Sequence, residues 1–256
     1  MSVLSRAIRS LFVTPERLGR RGENAAAGRL GWVDFLGYQG KIIRNAYIPG
    51  NDGKTTEIDL LYITQKGIFV IESKNYSGFI FGSEKNQHWA STLYMGKDWR
   101  GRKKVEKHQF YNPIWQNNTH IRYLKRFLKA DIPMFSVIVF SSKCELKRME
   151  ISSPDVIVCR QGELSSCIRR IWKRVPDVLT EQQIETIFNQ LSVLANPSEA
   201  VKQKHIQDIH ERVNGVSRCP WCGGSLVLRT AKSGKYAGKQ FYGCSNYPSC
   251  KYIRNI

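Results

Sequence analysis

Three charged residues stand in two segments whose composition otherwise predicts buried β-strands. Residues 57–63 and 67–74 are rich in β-branched and large apolar side chains, and a polar turn separates them, which predicts an antiparallel strand pair. Asp59, Glu72 and Lys74 are the exceptions, although an isolated charge is costly to bury. Because side chains alternate between the faces of a strand, Glu72 and Lys74 point to the same side. If Asp59 lies across from them, two carboxylates and one amine converge.

This convergence would suit a hard cation with a lysine beside it. Mg²⁺ prefers oxygen ligands and is held by one or two carboxylates together with waters and substrate phosphate. Asp59 and Glu72 would supply the carboxylates, and the main-chain carbonyl of Ser73 would supply a third oxygen. Lys74 would orient or help deprotonate the water that attacks the phosphate, and would offset the charge that grows on that phosphate. The chemistry is hydrolysis of a phosphodiester; the alternative is an ion pair that closes a buried strand without catalysis.

Four cysteines near the end of the sequence have the spacing of zinc ligands. Cys219 and Cys222 form a C-x-x-C pair, and 21 residues separate Cys222 from the second pair, Cys244 and Cys250. Four thiolates fill a tetrahedral zinc site and leave no open position for catalysis, so the predicted zinc is structural. Four unrelated thiols or an iron–sulfur centre are the alternatives.

The composition predicts a globular, strongly basic protein. Apolar residues make up 41% of the 256, and 40 Lys and Arg against 21 Asp and Glu give a formal net charge of +19. This surplus favours polyanionic partners, nucleic acid first and an anionic membrane surface second. No segment reaches the roughly 18 uninterrupted apolar residues of a membrane span. Arg6 and Arg9 interrupt Met1–Val13, so it predicts neither a signal peptide nor an anchor. The remaining cysteines are scattered, which indicates a reducing, cytoplasmic compartment.

The elements that must position these residues are strands followed by helices. Strands are predicted at residues 42–48, 57–63, 67–74, 78–81, 88–94, 133–140 and 155–159, with a basic hairpin loop at 95–104. Helices are predicted at residues 14–36, 114–129 and 180–194. Composition changes sharply at Cys219, where the cysteine module begins.

Residues of the first helix and of the strand pair resemble the nuclease-related domain, often called NERD, of the PD-(D/E)xK nuclease superfamily. The resemblance is carried by Gly22-Glu23, Glu57-Ile58-Asp59 and Phe69-Val-Ile-Glu72-Ser-Lys74-Asn-Tyr-Ser-Gly78. It is clearest from about Arg20 to Leu128 and extends more loosely to about residue 190. It implies an α/β, restriction-endonuclease-like mixed sheet flanked by helices, with Mg²⁺ or Mn²⁺ chemistry at Asp59, Glu72 and Lys74. Ile58 stands where the name of the superfamily has proline.

The same resemblance assigns two supporting residues. Glu23 would reach the metal from the first helix, directly or through water. Gln116, in Asn112-Pro-Ile-Trp-Gln116, matches the position where related nucleases place a glutamine that supports the site from a following helix. The alternative for Gln116 is an ordinary residue on a helix surface. The five histidines show no ligand spacing with an acidic partner, so none is predicted to bind the metal.

The cysteine module resembles the C4 zinc ribbons at the carboxyl end of bacterial type IA topoisomerases. The resemblance covers Cys219 to Ile253 and includes Cys219-Pro-x-Cys222-Gly-Gly and Phe241-Tyr-Gly-Cys244-Ser-Asn-Tyr247-Pro248-x-Cys250. It implies that the module binds single-stranded DNA.

The chemistry of the module agrees with this expectation. From Cys219 on, six basic residues and no acidic one are interleaved with six aromatic residues. Cations neutralise phosphates, and aromatic rings stack on unpaired bases. About half of the rings are expected to fill the small core instead, whereas Tyr247 is expected to be exposed. The residues predicted to contact nucleic acid are Arg229, Lys235, Lys239, Tyr247 and Lys251.

A second basic segment lies at residues 97–107. It holds six basic residues around Trp99. The segment predicts either a duplex-binding rim beside the active site or an ordinary solvated face.

These patterns predict three segments. They are a nuclease-like domain at 1–195 with its core at about 20–135, a helical linker at 196–216, and a DNA-binding zinc ribbon at 217–256. The predicted function is that of a Mg²⁺-dependent DNA nuclease whose ribbon binds single-stranded or melted DNA, in repair, recombination or defence. Neither a membrane nor a small-molecule substrate is expected. The alternatives are a non-catalytic DNA-binding accessory protein related to topoisomerase zinc-ribbon function, and an RNA-processing nuclease.

Overall fold

The structure is a computed structural model that describes residues 26, 28, 40–50, 53–195, 197–214, 219, 222, 225–231, 238 and 240–255. The chain divides into two compact units, residues 1–196 and 197–256. The strands are β1 Gly40–Pro49, β2 Thr55–Thr64, β3 Gly67–Lys74, β4 Gly78–Ser83, β5 His88–Lys97, β6 Lys103–Tyr111, β7 Met134–Phe140, β8 Cys144–Glu150, β9 Val156–Arg160, β10 Leu226–Thr230, β11 Gln240–Cys244 and β12 Ile253–Asn255. The helices are α1 Pro113–Leu128, α2 Leu164–Arg174, α3 Glu181–Ser192 and α4 Glu199–Asn214.

A five-stranded mixed sheet forms the centre of the first unit. Its strand order is β1-β2-β3-β7-β9. The pairs β1–β2 and β2–β3 are antiparallel, and the pairs β3–β7 and β7–β9 are parallel. The predicted α/β class with a mixed sheet is therefore confirmed.

A tight turn sets the register of β2 and β3. Thr64 pairs with Gly67, and the ladder continues to Leu60 opposite Ile71. Gly67 has a φ of +118°, and a Cβ at this position would collide with the Pro133 carbonyl, so glycine is required. Beyond the last pair, the same register brings Asp59 to the end of the sheet where Glu72 lies.

Helices cover both faces of the central sheet. Leu60, Tyr62, Phe69 and Ile71 pack with α2 on one face. Ile68 and Val70 pack with α1 and α3 on the other face. Because side chains alternate, Glu72 and Lys74 continue the row of Ile68 and Val70 towards α1. These two charges therefore lie between the sheet and a helix.

A four-stranded sheet, ordered β6-β5-β4-β8, packs beside the central one. Trp89 and Phe110 are buried against Phe140 of β7. The sequence predicted a loop at residues 95–104 and did not predict β6 or β8, whereas β5 extends to Lys97 and β6 begins at Lys103. Both missed strands are at sheet edges and are rich in charged side chains, so they lack the apolar alternation that marks a buried strand.

The second unit contains α4 and a three-stranded sheet ordered β10-β11-β12. Helix α4 lies where the sequence predicted a helical linker. None of the helices in the described ranges is long and apolar enough to cross a bilayer. Of the predicted first helix, only Ala26 and Gly28 are described, both helical, and Glu23 lies outside the described residues.

Candidate active site and metal centre

A carboxylate, an amine and an amide meet at the end of β3. Lys74 Nζ lies 2.7 Å from Glu72 Oε1. Gln116, on α1, donates from Nε2 to Glu72 Oε1 over 2.7 Å and accepts from Lys74 Nζ at Oε1 over 2.9 Å. Glu72 is 3% exposed, whereas the Lys74 side chain is 20% exposed. The three side chains therefore contact one another in a ring, in which Glu72 is buried and both Lys74 and Gln116 are partly exposed.

Asp59 is joined to the same strand end from β2. Its Oδ2 accepts a hydrogen bond from the main-chain N–H of Ser73 over 2.7 Å. This bond holds the Asp59 carboxylate beside the residue that lies between Glu72 and Lys74. The structure thus brings together four of the five predicted catalytic residues, and the fifth, Glu23, is not described.

His120 is a member of this cluster that the sequence did not place there. Its Nε2 lies 3.2 Å from Glu72 Oε2, an ion-pair distance without the alignment of a hydrogen bond. Its Nδ1 lies 2.6 Å from Thr56 Oγ1. Helical spacing could have indicated this placement in the sequence. Gln116 and His120 are four residues apart and therefore share a face of α1. Spacing between histidine and acidic residues along the chain could not reveal a contact made between α1 and the strand beneath it.

Buried amides fix α1 against the sheet. Asn117 Nδ2 donates to the Val70 carbonyl over 2.8 Å and to Ser136 Oγ over 3.0 Å. Asn112 caps the helix by accepting from the Ile114 N–H over 2.9 Å. The Asn112 amide also donates to three main-chain carbonyls between residues 83 and 86. These bonds anchor both Gln116 and His120, which lie on the same helix.

The electrostatics favour the charged forms of both Glu72 and Lys74. Burial raises the pKa of Glu72, but the charge of Lys74 and the contact with His120 outweigh burial and hold this pKa below its usual value. Burial also lowers the pKa of Lys74, but the charges of Glu72 and Asp59 raise it above its usual value. Lys74 is therefore a charged amine at neutral pH and a poor proton acceptor in this state.

Tyr76 connects the cluster to the second sheet. Its ring stacks on Phe110 of β6, with ring centroids 4.3 Å apart. Burial raises the pKa of the Tyr76 hydroxyl, and the charge of Lys74 opposes that shift. Tyr76 therefore packs on β6 while its hydroxyl is within electrostatic reach of Lys74.

The oxygen donors suit a hard cation. Mg²⁺ accepts one or two carboxylates when waters complete its octahedron, and Asp59 and Glu72 offer two at one strand end. Both oxygens of Glu72 already have partners, so a cation would compete with Lys74 for Oε1. Among the described residues, only cysteines gather three or more His, Cys, Asp or Glu ligand atoms in one place.

The four cysteines of the second unit form that cluster. Their Sγ atoms all lie within 4.8 Å of one another, with 3.6 Å between Cys219 and Cys250 and 3.3 Å between Cys222 and Cys244. Tetrahedral zinc with Zn–S bonds of about 2.3 Å needs sulfur atoms about 3.8 Å apart, which these separations approach. Cys222 is exposed and the other three are buried. The cluster therefore has the ligands and the spacing of a structural zinc site.

The rings and cations around the cysteines divide into core and surface groups. Tyr242 and Tyr252 pack against the cysteine cluster. Tyr247 is 60% exposed, and the Arg229 guanidinium lies 5.7 Å from its ring centroid. Lys251 is also exposed. The other two predicted contact residues, Lys235 and Lys239, lie outside the described residues.

Both parts of the chain are similar to known protein families. Residues 18–141 match the family described as the nuclease-related domain, and residues 216–256 match the topoisomerase DNA-binding C4 zinc finger. An uncharacterized protein of Bacillus anthracis is 29% identical over 199 residues, which cover 77% of this chain and 86% of that protein. No solved structure gives a significant match.

The ribbon accounts for further relatives. DNA topoisomerase 1 of Archaeoglobus fulgidus is 35% identical over 107 residues, 40% of this chain but 14% of the topoisomerase. DNA topoisomerase 1 of Helicobacter pylori is 42% identical over 57 residues, 22% of this chain and 7% of the enzyme. The chain therefore spans only a small part of the topoisomerases that it matches. Both resemblances predicted from the sequence are confirmed.

Proposed function

We propose that this chain, which joins a nuclease-related domain to a topoisomerase-type zinc ribbon, is a metal-dependent deoxyribonuclease. The observation that carries the proposal is the contact set of Glu72, Lys74 and Gln116, with Asp59 at the same strand end. A nuclease-related domain and a DNA-binding ribbon in one chain support DNA as the polymer.

The oxygen atoms of Asp59 and Glu72, with the main-chain carbonyl of Ser73, are the groups proposed to hold Mg²⁺ or Mn²⁺. When bound, such an ion lowers the pKa of the attacking water and neutralises charge on the scissile phosphate. Glu23, outside the described residues, is proposed to support the ion from the first helix. Gln116 and His120 keep the Glu72 carboxylate in one orientation through its two oxygens.

Lys74 is proposed to orient the water and to stabilise negative charge that develops on the phosphate. The charges of Glu72 and Asp59, which a bound ion would offset, raise the pKa of Lys74, and in that state the charged amine has no lone pair to accept a proton. An ammonium fixed by Glu72 and Gln116 is instead pre-organised for electrostatic stabilisation.

The ribbon is proposed to hold single-stranded or melted DNA. Exposed Tyr247 beside Arg229 supplies a ring for a base and a cation for a phosphate. A tethered binding module raises the effective concentration of DNA at the catalytic domain. All seven cysteines are unbridged, which supports a reducing compartment such as the cytoplasm. A DNA-cleaving protein of this kind would serve in repair, recombination or defence.

One observation favours a second candidate, a DNA-binding accessory protein without catalysis. Glu72 already has a partner at each oxygen, as expected of a buried ion-pair network that only stabilises the strand end. In that case the cluster would bind no divalent ion, and the ribbon would carry the whole function.

Purified protein incubated with single-stranded DNA, duplex DNA, plasmid and RNA separates the candidates. Each substrate is tested without divalent metal, with Mg²⁺ and with Mn²⁺, and without chelator so that the ribbon keeps its zinc. The proposal expects metal-dependent cleavage of DNA that Asp59→Ala abolishes. DNA binding without cleavage in any metal would favour the accessory protein, and cleavage of RNA alone would favour an RNA-processing nuclease.

A further inference from the structure

The turn that joins β5 to β6 presents a tryptophan to solvent. Trp99 is 85% exposed, more than any other large apolar side chain in the described ranges. The buried face of the second sheet is formed by other residues, such as Trp89 and Phe110. An indole that contributes nothing to a core and lies at the tip of a hairpin is available for a ligand.

Asp98 builds this turn without help from Trp99. The Asp98 N–H donates to the Arg102 carbonyl over 2.8 Å, and the Gly101 N–H donates to the Asp98 carbonyl over 2.9 Å. One Asp98 carboxylate oxygen accepts from the N–H groups of Arg100 and Arg102, each over 2.9 Å. Gly101 has a φ of +75°, which glycine adopts without strain. The turn is therefore held by polar contacts, and removal of the indole should leave it folded.

The charges around the indole select a polyanion. Six basic residues lie between Lys97 and Lys107, against two acidic residues. Asp98 is paired with Arg102 at 3.2 Å and so contributes little free negative charge. The Arg100 guanidinium lies 4.3 Å from the Trp99 ring centroid, in cation–π contact with it. A ring beside a guanidinium, on a basic hairpin, suits a base followed by its phosphate.

The hairpin belongs to the same compact unit as Lys74. Tyr76, two residues after Lys74, stacks on Phe110 of β6, and β6 then leads back to the turn. Arg102 and Phe110 are eight positions apart, which at about 3.3 Å per residue corresponds to about 26 Å. A stacked strand that rises about 3.4 Å per nucleotide covers this distance in about eight nucleotides.

We propose that the tip, residues 98–102, is a binding site for unpaired nucleic acid, in which Trp99 stacks on a base and Arg100 contacts the adjoining phosphate. The site is separate from the cysteine ribbon and from the carboxylate cluster. It rests on the proposed function only for the identity of the polymer, since binding at the tip needs no hydrolysis. Single-stranded rather than duplex DNA is the expected ligand because a base must be free to stack on the indole.

Photocrosslinking of the full chain to 20-nucleotide single strands that carry 5-iodouracil tests the proposal. Divalent metal and chelator are both omitted, so that DNA stays intact and the ribbon keeps zinc. The expected result is a crosslink at Trp99, identified by mass spectrometry. Crosslinks confined to residues 219–255 would overturn the proposal.

Measurement of single-strand affinity by fluorescence anisotropy is a second test of the proposed site. Trp99→Ala is expected to weaken single-strand binding about tenfold, with Trp99→Phe within about threefold of wild type because a ring is kept. Val193→Ala, at another exposed apolar residue (74% exposed), is the matched control and should bind like wild type. Wild-type affinity in Trp99→Ala would contradict the site.

Vesicles with and without anionic lipid separate the remaining possibility, a membrane contact. If Trp99→Ala released the chain from anionic vesicles but left oligonucleotide binding unchanged, the nucleic-acid assignment would be wrong. The melting temperature of Trp99→Ala is expected to equal that of wild type. This measurement shows whether a loss of binding reflects unfolding instead of the missing indole. The crosslinking, affinity and vesicle measurements do not depend on cleavage. They would therefore still test the site at Trp99 if the nuclease proposal failed.

Discussion

Gln116 on α1 and Glu72 on β3 are joined by a hydrogen bond of 2.7 Å, although 44 residues separate them in the chain. The oxygen of the same amide accepts a hydrogen bond from Lys74. The Gln116 nitrogen therefore contacts the carboxylate, and its oxygen contacts the ammonium. A primary amide can do this because its NH₂ group only donates and its oxygen only accepts. Gln116 therefore couples the position of α1 to the geometry of the candidate site, as does His120 on the same helix through its contact with the other oxygen of Glu72.

Replacement of Gln116 by alanine should cost both stability and activity. Glu72 would lose a buried hydrogen-bond donor, which corresponds to about 1–3 kcal/mol of unfolding free energy. Cleavage should fall about 10- to 100-fold, as expected of a residue that orients a metal-binding carboxylate. Urea unfolding and cleavage rates measure the two effects. Asn118→Ala, at an exposed position on the same helix, is the control; equal effects at both positions would contradict the assignment.

The pH dependence of stability should report the Glu72–Lys74 pair. The folded pKa of Glu72 lies below the ordinary value of 4.5, so its stabilising contribution is present above pH 4.5 and is lost as pH falls through the folded pKa. The folded pKa of Lys74 lies above 10.5, so its contribution is present below pH 10.5 and is lost as pH rises through the folded value. Between these limits the contribution should be constant.

Urea unfolding of wild type and Glu72→Gln at pH 7 and at pH 3 measures the acid limit. The stability difference between the two proteins should shrink at pH 3. Glu84, whose pKa is held at about 2 by hydrogen bonds from Ser153 and Ser152, also loses stabilisation in acid, but it is present in both proteins and cancels. A difference that does not change with pH would refute the lowered pKa of Glu72.

His120→Ala should weaken the support of Glu72 from the opposite side. The imidazole is 5% exposed and lies between Thr56 and Glu72, so its removal leaves buried polar groups without a neighbour. We expect a loss of about 1–3 kcal/mol of unfolding free energy. Thr56→Val, which keeps the imidazole but removes the contact at Nδ1, should cost less. If both variants unfold like wild type, His120 does not position the carboxylate.

Zinc removal should affect the second unit alone. One zinc per chain is expected by elemental analysis, and Cys222→Ser should lower that ratio, whereas Cys167→Ser, outside the cluster, should not. Chelation should unfold the ribbon, because a module of this size depends on its metal, and should weaken single-strand binding. The melting transition of residues 1–196 should not move, since they form a separate compact unit. Full zinc content in Cys222→Ser would contradict the four-cysteine site.

Local patterns in the sequence predicted the parts of the fold that are set by burial. Side chains that face the core must be apolar, and this requirement produces the apolar runs of β2, β3 and β7 and the helical period of α1. Strands β6 and β8 were not predicted, because edge strands need only one apolar face or none. The tip at Trp99 was predicted as part of a loop. Its tight turn depends on hydrogen bonds that the Asp98 carboxylate accepts from the main chain, and no periodicity in the sequence reveals them.

The candidate site was predictable where charge interrupts an apolar run. Glu72 and Lys74 stand out for that reason, and Asp59 follows once the strands are paired. His120 could not be found in this way, because a buried histidine on an amphipathic helix resembles an ordinary core residue until the sheet is placed beneath it. Its contact with Glu72 depends on the packing of α1, which the chain specifies only through long-range contacts such as that of Asn117 with Val70.

The rate of Mg²⁺-dependent DNA cleavage by Lys74→Ala tests the central claim most directly. Lys173→Ala, at an exposed lysine in the last turn of α2, is the matched control, and DNA affinity is measured for both variants. We predict that Lys74→Ala loses at least about a hundredfold in rate, as on removal of one group that stabilises charge in the transition state, while its DNA affinity stays within about threefold of wild type. Cleavage by Lys74→Ala at the rate of Lys173→Ala would contradict the proposed active site.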